Sequence, residues 1–244
     1  MCVKQKLGAC AYFLPAASLD CGIDKFMTEE KLMQQIPDWS QGDLYLRENA
    51  PELLPFLEKY GPCTLLPKEE AQHFEVLLTG IAAQQLPPET SVSIMDRLRA
   101  LTGTPVMPGK LLEQTDADLA SCGLTSLKVS YMKEFARAVL TGEVDLAAWE
   151  DLPDSQLLKK LKAVKGLGQW TLEMFMLLCL CRPDILPGDD FLLKKQVQIL
   201  YGLDTVPKRG DLIRRTERWR PWRSLAVWYL WQEAAARETK QGSK

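Results

Sequence analysis

Hydrophobic residues recur at helical spacing along most of the chain from about Met27 onward. The segment 73–86, HFEVLLTGIAAQQL, is apolar along most of its length and predicts a buried helix. Segments 87–103, 125–143 and 154–164 show further helical periods, whereas runs that alternate polar and apolar residues are few and short. The pattern therefore predicts an all-α fold of many short helices joined by brief loops.

Two local patterns refine these helices. Thr115 and Asp118 have the spacing of a capping box, and Gly123 closes the short helix that follows them. The next helix carries large residues four positions apart, which predicts its buried face. These residues are Leu127, Tyr131, Phe135 and Val139.

The stretch AVKGLGQWTLEMF, residues 163–175, interrupts the helical pattern with Gly166 and Gly168. A glycine in a helix interior costs about 1 kcal/mol relative to alanine, so the pair predicts a sharp turn between two helices. Bare backbone amides at the start of a helix form a site for an anion such as a DNA phosphate. A Gly-x-Gly turn also joins helices that bind nothing, and the turn alone leaves both interpretations open.

Two carboxylates, Asp189 and Asp190, stand in the later loop LPGDDF, just before the next predicted helix. By themselves they could be no more than capping and solvated residues. Together with the glycine turn they favour an enzyme over a DNA-binding module, because a pure binder gains nothing from a carboxylate beside the phosphate path.

The segments LKAVKGLGQWT and PDILPGDDFLLKK, in this order, resemble the helix–hairpin–helix DNA glycosylase superfamily. FEVLLTGIAAQQL is similar to that family's early helix, and CGLTSLKVSYMKEFARAVLTGEVDL to its next helix pair. RWRPWRSLAVWYLW looks like the C-terminal helix of the 3-methyladenine DNA glycosylase II branch. The resemblance covers roughly residues 45–235 and implies two all-α lobes with the substrate cleft between them.

For the chemistry, the resemblance implies that Asp190 is the catalytic residue, which stabilises an oxocarbenium-like sugar or assists attack by water. Asp189 is expected to cap the helix that starts near Phe191. Members that also cut the strand have a lysine two residues after the second hairpin glycine, where it forms a Schiff base. Trp170 stands there in this chain, which implies hydrolysis without strand cleavage. The implied pocket for an alkylated base, often cationic, has the candidates Trp170, Met174 and Trp231, and Trp170 could instead be a core residue.

Further residues are expected to contact DNA. Gln85, at the tip of the early helix, is the expected wedge that fills the space left by a flipped nucleotide, although glutamines at a helix end are commonly just solvated. The net charge is −2, yet RRTERWRPWR carries five arginines against one glutamate, and Arg223 among them could support Asp189. The candidates for the DNA backbone are Gly166, Leu167, Gly168, Thr171, Lys194 and Arg220.

The remaining composition narrows the chemistry. His73 is the only histidine, and the seven cysteines form no CxxC pair, so neither a zinc site nor an iron–sulfur cluster is expected. Buried reduced thiols are expected, as in a cytoplasmic protein. No organic cofactor is expected. The resemblance implies only a monovalent cation, Na⁺ or K⁺, held by backbone carbonyls of the hairpin. No segment approaches the roughly 18 apolar residues of a membrane span.

The chain is expected to divide into two helical lobes. One lobe is 70–183, with the hairpin at about 157–181, and the other combines 27–69 with 184–244. Residues 1–26 briefly imitate a secretory signal but are interrupted by glycine and proline, and they are expected to be an extension of unknown role.

The sequence thus predicts a monofunctional DNA glycosylase that flips alkylated purines, of the 3-methyladenine or 7-methylguanine kind, out of damaged double-stranded DNA during base excision repair. We expect a monomer. One alternative is a glycosylase for another damaged base, such as hypoxanthine or an oxidised purine, because Met174 stands where the alkylation branch often has an aromatic residue. The other alternative is a non-catalytic helix–hairpin–helix module.

Overall fold

The computed structural model describes residues 36–149 and 152–241, so the predicted extension 1–26 lies outside the described residues. Every regular element within these two ranges is helical, which confirms the all-α class. The α-helices are α1 (Trp39–Asn49), α2 (Leu54–Tyr60), α3 (Glu70–Ala83), α4 (Pro88–Thr102), α5 (Pro108–Leu112), α6 (Asp116–Ser121), α7 (Ser126–Leu140), α8 (Asp154–Lys162), α9 (Gln169–Leu178), α10 (Phe191–Leu200), α11 (Arg209–Arg215) and α12 (Arg223–Gln241). Single 3-10 turns lie at Pro51–Leu53, Ala147–Trp149 and Glu217–Trp219.

Internal contacts divide the described chain into two units. The continuous unit is Lys68–Phe175 and contains α3 to α8 with most of α9. The discontinuous unit combines the described residues up to Pro67 with those from Met176 onward. The second boundary thus falls within α9 rather than at residue 184, where the sequence placed it. The substrate cleft expected between the lobes stays a prediction.

Helix α3 is the centre of the continuous unit. Each of its residues from His73 to Ala83 is buried, as its mostly apolar sequence predicted, and it packs on α4 and α7. Gly80 lets it approach α9 closely, because a Cβ at this position would lie 2.0 Å from Cγ2 of Thr171. A buried carboxylate, Glu75, accepts from Nη2 of Arg99 at 2.7 Å and from the amide of Val106 at 2.7 Å. Its charge is thereby compensated inside the unit.

Helix α12 has the same central place in the discontinuous unit. Its residues from Ser224 to Ala235 are buried, and it packs on α1, α2 and α10. Gly42 of α1 accommodates the Trp222 ring, since a Cβ there would lie 2.7 Å from Cε3. No helix in the described part of the chain is long and apolar enough to cross a bilayer.

Of the two local patterns, one is confirmed and one is wrong in part. Thr115 accepts from the amide of Asp118, whose carboxylate accepts from the amide of Thr115, which confirms the capping box. The predicted buried stripe of α7 is wrong in part, because Leu127 is 61% exposed while Phe135 is 1% exposed. Besides Phe135, the helix buries Val129, Met132 and Ala136.

Candidate active site

Asp190 is the N-cap of α10 in the discontinuous unit. Its Oδ1 accepts from the amide of Leu193 at 2.7 Å and from the indole Nε1 of Trp231 at 3.2 Å. The residue is 8% exposed, and Trp231 is 1% exposed. Two N–H donors and the positive end of a helix stabilise a carboxylate in its charged form. The arrangement holds one anionic group, in a fixed orientation, among largely buried residues.

The expected helix cap is wrong, since Asp190 and not Asp189 caps α10. A capping side chain must belong to the residue directly before the first helical residue, and α10 begins at Phe191. Asp189 is exposed and forms ion pairs with Arg209 at 2.9 Å and Lys194 at 3.5 Å. Asp190 therefore combines the capping role with the position that the resemblance assigns to the catalytic residue.

The expected pair of Arg223 with Asp189 is also wrong. The Arg223 guanidinium binds Asp184, with Nε 2.5 Å from Oδ1 and Nη2 2.9 Å from Oδ2. Ser224 donates to the carbonyl of Arg182 at 2.5 Å and accepts from the amide of Ile185 at 2.9 Å. The first turn of α12 thus holds the start of the loop that leads to Asp190, while the Trp231 indole holds its end.

Arg209 is a supporting residue that the sequence did not reveal. Its side chain crosses Gly188, where a Cβ would lie 2.9 Å from Arg209 Cγ, and it pairs with Asp189. The loop also closes on itself, because the amide of Asp190 donates to the carbonyl of Pro187 at 2.9 Å. The only signal in the sequence is the glycine of PGDD, which leaves room for a crossing side chain but does not identify it.

The hairpin consists of α8, a turn at 163–168 and α9, and its residues up to Phe175 lie in the continuous unit. Gly166 has φ +85, and a Cβ there would lie 2.8 Å from the Tyr131 side chain, so two independent constraints require glycine. Gly168 is exposed, and the nearest atom to an added Cβ is Nε2 of Gln84 at 3.9 Å. Gly166 therefore serves conformation and packing, whereas Gly168 leaves the backbone open to a ligand.

Two of the residues predicted to contact the DNA backbone have buried side chains. Leu167 is 6% exposed, and its amide donates to the carbonyl of Val164 within the turn at 3.3 Å. Thr171 is 1% exposed and packs against Gly80. Both side chains anchor the hairpin from inside, and contact of either residue's backbone with DNA stays a prediction.

The turn's carbonyls are the groups that could hold the expected monovalent cation. The carbonyl of Gly166 accepts from Gln84 Nε2 at 2.6 Å, and that of Val164 accepts from Leu167. A carbonyl oxygen has two lone pairs, so each retains capacity for a cation. The cation itself stays a prediction.

The predicted pocket residues of α9 differ in exposure. Trp170 is half-buried in the first turn of the helix, and Met174, one turn later on the same face, is 1% exposed. Their contact with a base stays a prediction.

Two basic side chains were predicted to contact the DNA backbone. Lys194 pairs with Asp189, and Arg220 is half-exposed and pairs with Asp184 at 3.3 Å.

Exposed lysines on α8 were missed as candidates for DNA contact. They stand on the last helical turn and in the hairpin turn itself, next to Gly166. The signal was present, since KKLKAVK runs directly into the glycines, but a charged face is also the default for a solvated helix. The residues are Lys159, Lys160, Lys162 and Lys165.

The predicted wedge is at the end of α3. Gln85 is exposed and has φ +58, and the amide of Leu86 donates to the carbonyl of Ala83 across it at 3.1 Å. With Gln84 at φ −54 and ψ 125, this is the geometry of a type II turn, whose third position favours glycine or asparagine. A glutamine there costs about 1 kcal/mol of strain, which marks the position as a candidate for function.

The family model described as HhH-GPD superfamily base excision DNA repair protein matches residues 78–221, more than half of the chain and including the hairpin and Asp190. The chain belongs to the HhH-GPD superfamily.

Similar proteins and structures agree with this membership. The alkylbase DNA glycosidase-like protein of Schizosaccharomyces pombe is 28% identical over 82% of this chain and 96% of its own. DNA-3-methyladenine glycosylase 1 of the same yeast is 28% identical over 77% of this chain and 82% of its own. The structure of the S. pombe 3-methyladenine DNA glycosylase in complex with abasic DNA has a TM-score of 0.71 at 25% identity, covering 78% of this chain and 95% of its own. The DNA-3-methyladenine glycosidase of Bacillus halodurans has a TM-score of 0.68 at 29% identity, covering 83% and 92%.

These matches confirm the predicted superfamily and the helix–hairpin–helix glycosylase fold, and the relative DNA-3-methyladenine glycosylase 1 has the name of the predicted branch. They also confirm the class of enzyme, a DNA glycosylase of base excision repair.

Proposed function

We propose that this protein is a monofunctional DNA glycosylase that hydrolyses the N-glycosidic bond of alkylated purines, of the 3-methyladenine or 7-methylguanine kind, in double-stranded DNA. The observation that carries the proposal is Asp190, held at the N-terminus of α10 by Leu193 and Trp231. The names of its relatives, which are 3-methyladenine DNA glycosylases, support the choice of substrate.

Hydrolysis breaks the bond between C1′ of the sugar and the base nitrogen, and the electron pair leaves with the base. Positive charge develops on the sugar, and the Asp190 carboxylate stabilises it or accepts a proton from the attacking water. An alkylated purine that is already cationic accepts the electron pair without prior protonation. This substrate class therefore fits a chain whose only histidine, His73, is 1% exposed and contacts the carbonyl of Lys68.

The absence of strand cleavage follows from Trp170. A β-lyase reaction needs an amine that attacks C1′ and forms a Schiff base, and the indole at this position of α9 has no nucleophilic amine. Water is then the nucleophile, and the products are the free base and an intact strand with an abasic site.

DNA is the proposed macromolecular partner. A bare Gly168 backbone at the start of α9 suits a phosphate, and the four exposed lysines around the hairpin would add attraction that salt screens. Among the similar structures, one contains abasic DNA, which supports the same partner here.

The test is incubation of the purified protein with methylated duplex DNA, beside Asp190→Asn. Free bases are identified by chromatography, and strand breaks are scored before and after alkali. We expect methylpurine release by the wild type alone, with breaks only after alkali. Release of hypoxanthine or an oxidised purine, but not of methylpurines, would move the assignment to another lesion. DNA binding without release of any base would leave only a binding module.

A further inference from the structure

The C-terminal end of α3 is held by a lysine from a different helix. Nζ of Lys128, in the first turn of α7, donates to the carbonyl of Ala82 at 2.7 Å and to that of Gln84 at 2.9 Å. Carbonyls at the end of a helix lack partners within the helix and carry its negative pole, so an ammonium group satisfies both needs. Lys128 is partly buried, and this burial lowers its pKa. Lys128 therefore stabilises the C-terminal end of α3, immediately before Gln85.

The same end of α3 is tied to the hairpin. Gln84 Nε2 donates to the carbonyl of Gly166 at 2.6 Å. On its other side Gly166 lies against Tyr131, which follows Lys128 by one turn of α7. One turn of α7 therefore supports both the end of α3 and the turn that we propose binds phosphate.

The two adjacent glutamines have opposite orientations. The Gln84 side chain is partly buried and donates to the hairpin, whereas Gln85 is exposed at the third position of the type II turn. A turn that needed only to reverse the chain would have glycine in this place. The chain has a long amide side chain there, directly after a residue whose carbonyl accepts from Lys128 and whose side chain donates to Gly166.

We propose that Lys128 and Gln84 form a brace that fixes Gln85 relative to the hairpin, so that binding of a phosphate by the hairpin positions Gln85 for insertion into the DNA stack. Both are positioning residues, because they act on DNA through Gln85 and through the backbone of Gly166. The inference rests on the proposed function for the identity of the substrate, but its test does not require base release.

The experiment uses the full-length protein and a duplex that contains a tetrahydrofuran abasic-site analogue with 2-aminopurine opposite it. Insertion of a side chain at the abasic site unstacks the 2-aminopurine and raises its fluorescence. Lys128→Met removes the ammonium at similar side-chain length, and Gln84→Met removes the donor at similar volume. Lys133→Met is the control, since Lys133 lies on the same helix but pairs with the exposed Asp116.

We expect the wild type and Lys133→Met to raise the fluorescence equally. Lys128→Met and Gln84→Met should lose at least half of the increase, while their affinity for an undamaged duplex stays within twofold of wild type. A full increase in folded variants would overturn the proposal, as would a wild type that gives no increase. Where Lys128→Met does not fold, Gln84→Met decides the question, because it removes a single hydrogen bond. Methylpurine release is measured in parallel: a fluorescence increase without release would reject the proposed function but not the brace.

Discussion

The indole N–H of Trp231 donates to Oδ1 of Asp190 across 3.2 Å, and the amide of Leu193 donates to the same oxygen. The Trp231 residue is thus a direct partner of the candidate catalytic carboxylate, 41 positions along the chain. It was expected as a wall of the base pocket, and the structure shows a second and more specific task. The bond fixes the orientation of the carboxyl group and stabilises its charge.

Trp231→Phe should impair the chemical step more than substrate binding. The change keeps a buried aromatic ring but removes the donor, and a hydrogen bond to a charged group is worth about 1.5–3 kcal/mol, so kcat should fall about 10-fold or more. Single-turnover release of methylpurine measures the effect. Trp228→Phe, at a neighbouring buried tryptophan of α12, is the control, and an unchanged rate of release by Trp231→Phe would refute the role.

Substitutions of Asp190 should separate its cap from its catalysis. Asparagine caps a helix about as well as aspartate, so Asp190→Asn should keep the free energy of unfolding within about 0.5 kcal/mol while it abolishes base release. Asp190→Ala should lose activity and also about 1 kcal/mol of stability. Urea unfolding beside the release assay makes the comparison. Base release that survives in Asp190→Asn would exclude this residue as the catalytic group.

The two hairpin glycines should respond differently to alanine. Gly166→Ala places a Cβ at φ +85 and 2.8 Å from Tyr131, so it should destabilise the protein by about 1–3 kcal/mol. Gly168→Ala has room for its methyl group and should leave stability unchanged, but the methyl covers the proposed phosphate site. Its affinity for duplex DNA should fall about tenfold, or ~1.4 kcal/mol. Chemical denaturation and fluorescence anisotropy with a labelled duplex test the pair. Wild-type affinity in Gly168→Ala would place the phosphate elsewhere.

The free energy of unfolding should decrease in acid because Glu233 of α12 becomes protonated. Burial alone would raise its pKa, but hydrogen bonds from Lys59, Tyr60 and Arg237 outweigh burial and lower it to about 2. An unfolded glutamate titrates near pH 4.3, so the stabilisation is complete above about pH 5 and is lost as the pH falls toward 2.

Glu233→Gln should therefore cost about 1–3 kcal/mol at pH 7 and flatten the acid dependence of unfolding, with Lys59 half-exposed and partly screened. Urea unfolding at several pH values between about 3 and 7 measures both the cost at pH 7 and the acid dependence. Glu58→Gln, exposed on α2, should change neither quantity. An equally steep loss of stability in Glu233→Gln would assign the acid effect to other carboxylates.

Much of the fold could be predicted from local sequence. The mostly apolar α3, the capping box at Thr115 and the glycines of the hairpin are all short-range signals, because helical period, cap spacing and positive φ depend on a few neighbouring residues. The stripe of α7 failed in part, for a physical reason. Leu127 fits the helical spacing, but neighbouring elements decide which of two overlapping apolar faces is buried.

The features of the candidate site divide in the same way, into those that the sequence predicts and those that tertiary packing decides. The sequence by itself determined which residues stand in the hairpin and in the Asp-Asp loop, and that Trp170 occupies the place of a lysine. Only the tertiary structure decided that Asp190 caps α10, since that choice depends on where the helix begins to within one residue. The same holds for the partner of Arg223, 39 positions away, for the donor to Asp190, 41 positions away, and for which of two adjacent glutamines is held inside. In each of these pairs the sequence offers several chemically equivalent partners far away along the chain. Only the packing of distant helices decides which of these partners lies within hydrogen-bonding distance.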